Sequence, residues 1–150
     1  MLTCDLLGFL IMQAYPDLKR GIDFWVCHPV DSKTLEQTGP AIIAGWQNDH
    51  PQPILDDIEK WWAQYGPKCI ELDAERVAKN RLPYLIDEAD DLVEHCLDLE
   101  AIAPDRATRD SAAQTEHAAR AYRQALRDVP KQPGYPLNID WPVKPADPGE

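Results

Sequence analysis

The chain has 150 residues, 44% of them apolar and 8% aromatic, with 26 acidic against 15 basic side chains and a net charge of −11. That apolar content supports a core, so the chain is not disordered throughout, and the length suits one domain or one small domain with a helical extension. The acidic surface disfavours phosphate backbones and anionic membranes, which argues against nucleic-acid and membrane partners.

The first apolar run, Leu6 to Met12, has Asp5 before it and Tyr15-Pro16-Asp17 after it. A signal peptide would carry Lys or Arg ahead of such a run and small residues behind it, and a bilayer span needs about 20 residues. The run is read as a buried helix over residues 3–15, capped by Thr3 or Asp5 and stopped by Pro16. After Gly21, the β-branched and aromatic residues 22–27 predict a strand, and residues 41–46 predict a second. The polar stretch 28–40 joins them as a long hairpin connection. His50-Pro51-Gln52-Pro53 is extended, because each proline disfavours helix at itself and at the residue before it.

A helix is expected from Ile54 to Tyr65, with Asp56 and Asp57 in its first turn and Gly66-Pro67 as its end. Trp61 and Trp62 cannot both face one core, since helical neighbours lie about 100° apart; either one of them is exposed as a contact residue or both are buried at a domain junction. Residues 71–103 are strongly acidic. Leu85, Ala89, Leu92, Cys96 and Leu99 recur at helical spacing, as do Ile86, Val93 and Leu97, so a wide apolar helix face is predicted, begun or kinked at Pro83. That face could also drive homo-oligomerisation. A second helix is expected over Ser111–Asp128, with Ala118, Ala121, Tyr122, Ala125 and Leu126 on its apolar side and Arg120, Arg123 and Arg127 toward its C-terminal end. The two helices are read as an antiparallel hairpin.

The last 21 residues hold six of the fourteen prolines. They are read as an extended, polyproline-like tail that also carries Tyr135, Leu137, Ile139, Trp141 and Val143. Two readings stay open: the tail docks on a partner, or it folds back on its own helices. The resulting expectation is an α+β fold: a small α/β unit at 1–67, a helical hairpin at 68–129 and an extended tail at 130–150.

Catalytic signatures are missing. Asp87-Glu88-Ala89-Asp90 spells a helicase box, but no GxxxxGK[ST] loop accompanies it, and an acidic helix face accounts for it. Neither Ser32 nor Ser111 lies in GxSxG, and there is no HExxH. Cys27-His28 and His95-Cys96 are zinc-ligand types, but adjacent residues on a strand or helix point apart. The cysteines, Cys4, Cys27, Cys69 and Cys96, are widely spaced and read as reduced thiols, mostly small core residues. No catalytic residue, metal or cofactor is expected.

The run Ala121-Tyr122-Arg123-Gln124-Ala125-Leu126-Arg127-Asp128-Val129-Pro130, followed by Gln132-Pro133-Gly134-Tyr135-Pro136 and Ile139-Asp140-Trp141-Pro142, resembles the C-terminal pattern of phage tail assembly chaperones and related tail-fibre assembly proteins. The likeness spans roughly residues 111–145, with Tyr135 where Phe is more usual. Asp23-Phe24, Ile43, Trp46 and Pro51-Gln52-Pro53 look like a small α/β domain of phage-like tail proteins. The resemblance implies a non-catalytic helper from a phage or prophage, acting in the host bacterial cytoplasm and binding a phage tail or tail-fibre protein. Tyr122, Arg123, Leu126, Arg127, Tyr135 and Trp141 are the client-binding candidates. Tyr122 and Leu126 could instead hold the hairpin together, while Arg123 and Arg127 are expected to be free for a client carboxylate. The alternative is a structural tail or baseplate component retained in the virion. If the tail is the docking element, removing residues 130–150 should leave the fold intact and abolish client binding.

Overall fold

A computed structural model describes residues 1–148; Gly149 and Glu150, the end of the predicted tail, lie outside the described residues. The elements in chain order are α1 (Cys4–Ala14), β1 (Phe24–Cys27), β2 (Ile42–Trp46), α2 (Leu55–Ile102), α3 (Arg106–Asp128) and a short 3-10 turn at Val129–Lys131. The chain divides into two compact units, the first ending at Asp73 and the second beginning at Ala74.

In the first unit, Thr3 caps α1 by accepting a hydrogen bond from the Leu6 N–H at 3.2 Å. The helix buries Leu7, Leu10 and Ile11 completely. Strands β1 and β2 pair antiparallel, Phe24 opposite Trp46 and Cys27 opposite Ile42, with an irregularity between Trp25 and Val26 that leaves Ala44 as the extra residue on β2. Leu7, Ile11, Leu18, Phe24 and Ala41 form the core, and Ile58 from the start of α2 packs against it. Tyr15 is an aromatic hub: its ring meets Trp61 edge-on at 5.3 Å and Trp46 at 6.0 Å. The Trp46 indole N–H donates to the His50 carbonyl at 2.7 Å, which secures the extended segment before α2.

Helix α2 corrects the expected end at Gly66-Pro67. It runs for 48 residues, through Gly66, Pro67 and Pro83. Each proline deprives the carbonyl four residues back of its helical donor. Here those carbonyls belong to Ala63 and Lys79, which are exposed, as are both prolines, so water can take the place of the lost donor. The backbone at Gly66 also passes close to the Trp62 indole, where a Cβ would sit 3.1 Å from the ring. Neither Trp61 nor Trp62 is fully exposed; both are half-buried.

In the second unit, α3 begins five residues earlier than expected. Asp105 caps it, accepting from the Thr108 N–H and from the Thr108 hydroxyl, both at 2.9 Å. The buried side of α3 is Ala112, Ala119, Tyr122 and Leu126. Ala121 and Ala125, expected on the apolar face, are exposed. Alanine contributes little apolar area, so its positions mark a helix face weakly. Leu82 and Ala89 of α2 pack with Tyr122, Leu126 and Val129, while Leu92, Val93 and Cys96 pack with Ala119. Residues later in α2 thus meet residues earlier in α3, which is the antiparallel hairpin. This packing occupies the α2 face that could have driven self-association, and of its apolar residues Leu97 stays 43% exposed.

The segment after α3 folds back. Residues 133–137 form a turn. Gln132 closes it by pairing with Asp140 twice, donating to its carbonyl at 2.8 Å and accepting from its N–H at 2.9 Å. Tyr135, Ile139 and Trp141 pack against the cluster of Leu82, Tyr122 and Leu126. Of the two readings left open by the sequence, the fold-back is the one realised. Removal of the segment would uncover the apolar cluster that Tyr135, Ile139 and Trp141 pack against.

Candidate functional site

The six residues singled out in the sequence fall into three groups. Tyr122 is 6% exposed and Leu126 is fully buried, so both belong to the hairpin core. Tyr135 and Trp141 are half-buried, each with one side on that core. Of the two arginines expected to be free, Arg123 is not: its guanidinium is paired with the Asp90 carboxylate across the hairpin. Arg127 lies exposed in the last turn of α3, beside the negative end of the helix dipole.

Trp141 is held from the α2 side as well. The Arg81 guanidinium lies 4.4 Å from its ring centre, a cation–π contact. The indole separates two open hollows. One, of about 480 Å3, is lined by Ala125, Asp128, Gln132, Asp140 and Val143. The other, of about 450 Å3, is lined by Val77, Ala78, Arg81, Leu137 and Ile139. Val143 is 89% exposed and Leu137 is 55% exposed. The apolar residues of the C-terminal segment therefore divide their work: Tyr135, Ile139 and Trp141 face inward, Leu137 and Val143 outward.

The turn that presents these residues depends on Gly134. Its carbonyl accepts from the Asn138 N–H at 2.6 Å, and a Cβ at position 134 would come within 2.2 Å of the Asn138 carbonyl oxygen. The Tyr135–Pro136 peptide bond is cis. Asp128 braces the start of the segment. Hydrogen bonds from Lys131 and from Gln124 hold its carboxyl below the usual carboxylate range.

Sequence reasoning missed two features of the first unit. Cys4 Sγ lies 3.0 Å from His28 Nδ1, and burial raises the thiol above its ordinary value, an effect that Arg20 partly opposes. The residues are 24 apart in the sequence, so spacing gave no hint of the pair. The second is an apolar groove of about 710 Å3, lined by residues of α1, of the approach to β2 and of α2. Its residues come from distant parts of the chain, and the expected helix end at Gly66 hid the continuity of its α2 wall.

Among the described residues, no cluster of three or more His, Cys, Asp or Glu could hold a metal, and no helix is long and apolar enough to cross a membrane. All four cysteines are free.

Two family models match the chain. Residues 7–68 match the family described as XkdW protein, and residues 101–146 match the family described as phage tail assembly chaperone protein. No curated protein and no solved structure matches it. The second match takes in α3, the turn and Trp141, the residues on which the resemblance was drawn. Over that segment the chain is similar to the phage tail assembly chaperone family.

Proposed function

We propose that this protein binds a tail or tail-fibre protein in the host bacterial cytoplasm while the phage tail is built, and that it does so without catalysis and without a cofactor. The similarity of residues 101–146 to the phage tail assembly chaperone family supports a role in tail assembly. The observation that carries the binding part is the platform around Trp141: an aromatic residue fixed from below by the hairpin core and from α2 by Arg81, with hollows on both sides and with Leu137 and Val143 left in water. Anchored aromatic side chains beside exposed apolar ones suit a protein contact, because little side-chain entropy remains to be lost on binding.

In this reading Trp141, Tyr135, Leu137 and Val143 touch the client, and Arg127 contributes a charge at the edge. Tyr122 and Leu126 act through the platform by holding it in shape, and Arg123 does the same through Asp90. The net charge of −11 keeps the helper and its bound client apart from other complexes.

The test is co-expression of the tagged chain with the tail and tail-fibre genes of its own phage, followed by recovery on the tag. One tail protein should be recovered with the wild-type chain. Recovery should fall at least tenfold when Leu137 and Val143 are both changed to Ser, exposed positions whose replacement leaves the hairpin core in place. Unchanged recovery with that variant would remove the platform from the proposal. No recovery of any tail protein would contradict the binding role itself.

A further inference from the structure

Beyond Trp141 the C-terminal segment changes its hold on the fold. The hydrogen bonds of the fold-back end at Asp140, with its two bonds to Gln132, and Trp141 carries the Arg81 contact. Among the described residues, 142–148 form no hydrogen bond and no ion pair. They carry no helix or strand either. Their exposure instead follows a period of three: Pro142, Pro145 and Pro148 are half-buried, whereas Val143 and Ala146 are exposed. Lys144 and Asp147 both line an open hollow of about 340 Å3 with Glu88, Asp91, Leu92 and His95 of α2. Three residues per turn is the period of a polyproline II helix, which uses no internal hydrogen bonds. Residues 142–148 thus lie along α2 as a strap: one edge of prolines, one edge in water, and one edge that presents Lys144 and Asp147 to the helix.

The strap lies over a buried side chain and a buried thiol. Leu92, on the wall of the hollow, is 4% exposed, and Cys96, one turn later, is fully buried. Cys96 also packs with Ala119 of α3. Burial raises the Cys96 thiol above its ordinary value, and the carboxylates of Asp147 and Glu116 raise it further, so Asp147 sits close to it. Glu116 is itself paired with Arg120 on α3. Charge in the hollow is divided. Lys144 is its one lysine or arginine and faces the carboxylates of Glu88 and Asp91, while Asp147 is opposed by the same two. A segment with little buried apolar area, no hydrogen bonds and divided charges belongs to the part of a fold that opens at the lowest free energy.

We propose that residues 142–148 are a strap that opens and closes on α2 by itself, held shut by Lys144 against Glu88 and Asp91, and that its opening uncovers Leu92 and Cys96. Closed, it keeps an apolar part of the hairpin from water. Open, it adds that part to the surface of the second unit, while Trp141 stays in place under Arg81 and on the hairpin core. The proposal needs no client and is independent of the reading of the platform around Trp141.

The experiment uses the full chain and N-ethylmaleimide, a small neutral reagent. The thiolate adds to its C=C bond and the neighbouring carbon takes a proton from water. Peptide mass spectrometry separates Cys96 from Cys69, a second fully buried cysteine, which lies in the first unit. Labelling of Cys96 should be faster by about fivefold in Lys144→Glu and about twofold in Lys144→Ala, the range expected for exposed charge pairs. Cys69 labelling and the melting temperature should stay as in the wild type. An added acid makes a nearby thiol harder to ionise and so slower to react; acceleration therefore reports opening. Adding Glu88→Lys and Asp91→Lys to Lys144→Glu should return the rate to the wild-type value. The gap between Lys144→Glu and the wild type should narrow in about 1 M NaCl, where such charges are screened. Cys96 labelling unchanged by Lys144→Glu would overturn the proposal, because the hairpin alone would then shield the thiol. Equal acceleration of Cys96 and Cys69 with a lower melting temperature would overturn it too, since the opening would then be global.

Discussion

The guanidinium of Arg81 lies over the ring of Trp141, 4.4 Å from its centre, and so ties the end of the C-terminal segment to α2. This contact joins two residues 60 positions apart and accounts for a proline-rich segment adopting a definite position. Trp141→Ala should destabilise the second unit by about 2 kcal/mol, below the usual range for a fully buried Trp because this one is half-buried. Urea unfolding of Arg81→Ala, Trp141→Ala and the double variant should give a coupling of about 0.5–1 kcal/mol. Strict additivity would show that the stacking adds nothing.

The hairpin core separates residues that build the platform from residues displayed on it. Leu126→Ala removes a fully buried side chain and should cost about 3 kcal/mol. Leu137→Ala changes a side chain that is 55% exposed and should stay within about 0.5 kcal/mol. Equal costs would mean that the segment packs otherwise than described.

Position 134 tolerates only glycine. Gly134→Ala would drive a methyl group to 2.2 Å from the Asn138 carbonyl oxygen. The turn must open to relieve this, at a cost of about 1–3 kcal/mol. Loss of ordered signal from Trp141, read as a red shift of tryptophan emission, should accompany the lower melting temperature. An unshifted spectrum would contradict the dependence of Trp141 on this turn.

A local strain exists in the connection between the strands. Leu35 has φ of 60°, in the left-handed region, and is 74% exposed. Leucine gains nothing from packing there and bears the steric cost of that conformation, about 1 kcal/mol. Leu35→Asn or Leu35→Gly should therefore raise the melting temperature by a few degrees. A fall would mean that the Leu35 side chain makes a stabilising contact.

Acid should loosen the second unit at its helix ends. The carboxyl of Asp105 is held below its ordinary value by hydrogen bonds from Thr108, first from its backbone and then from its hydroxyl. A carboxyl lowered in the folded state stabilises the fold above its unfolded value, and that contribution is lost as pH falls through the folded one. Asp128 follows the same sign through Lys131 and Gln124. Melting temperature measured from pH 6 to pH 2 should drop, and the drop should be smaller in Asp105→Asn, which keeps a capping side chain without the ionisation. Parallel curves would remove Asp105 from the acid response.

Much of the first unit was readable because its signals are local. Thr3 before an apolar run, Pro16 after it, and β-branched residues on both sides of a polar connection each act within a few positions. The long α2 was not, since Gly66-Pro67 is a stop signal wherever the freed carbonyl is buried, and here Ala63 is exposed. The apolar groove was lost with it. Tyr122 and Leu126 were legible as apolar positions of α3, but the partner of Arg123 was not, because Asp90 lies 33 residues earlier. In the C-terminal segment the proline count indicated an extended chain. The two hydrogen bonds between Gln132 and Asp140 and the close approach at Gly134 make it fold back, and neither leaves a compositional trace.

The most direct measurement of the central claim is quantitative mass spectrometry of infected cells and of purified phage particles, following this protein and the tail proteins together. The account predicts that the protein sediments with one tail or tail-fibre protein in the lysate before assembly is complete and is missing from finished particles. A fixed number of copies in each purified particle would contradict it, and would make the protein a structural part of the tail.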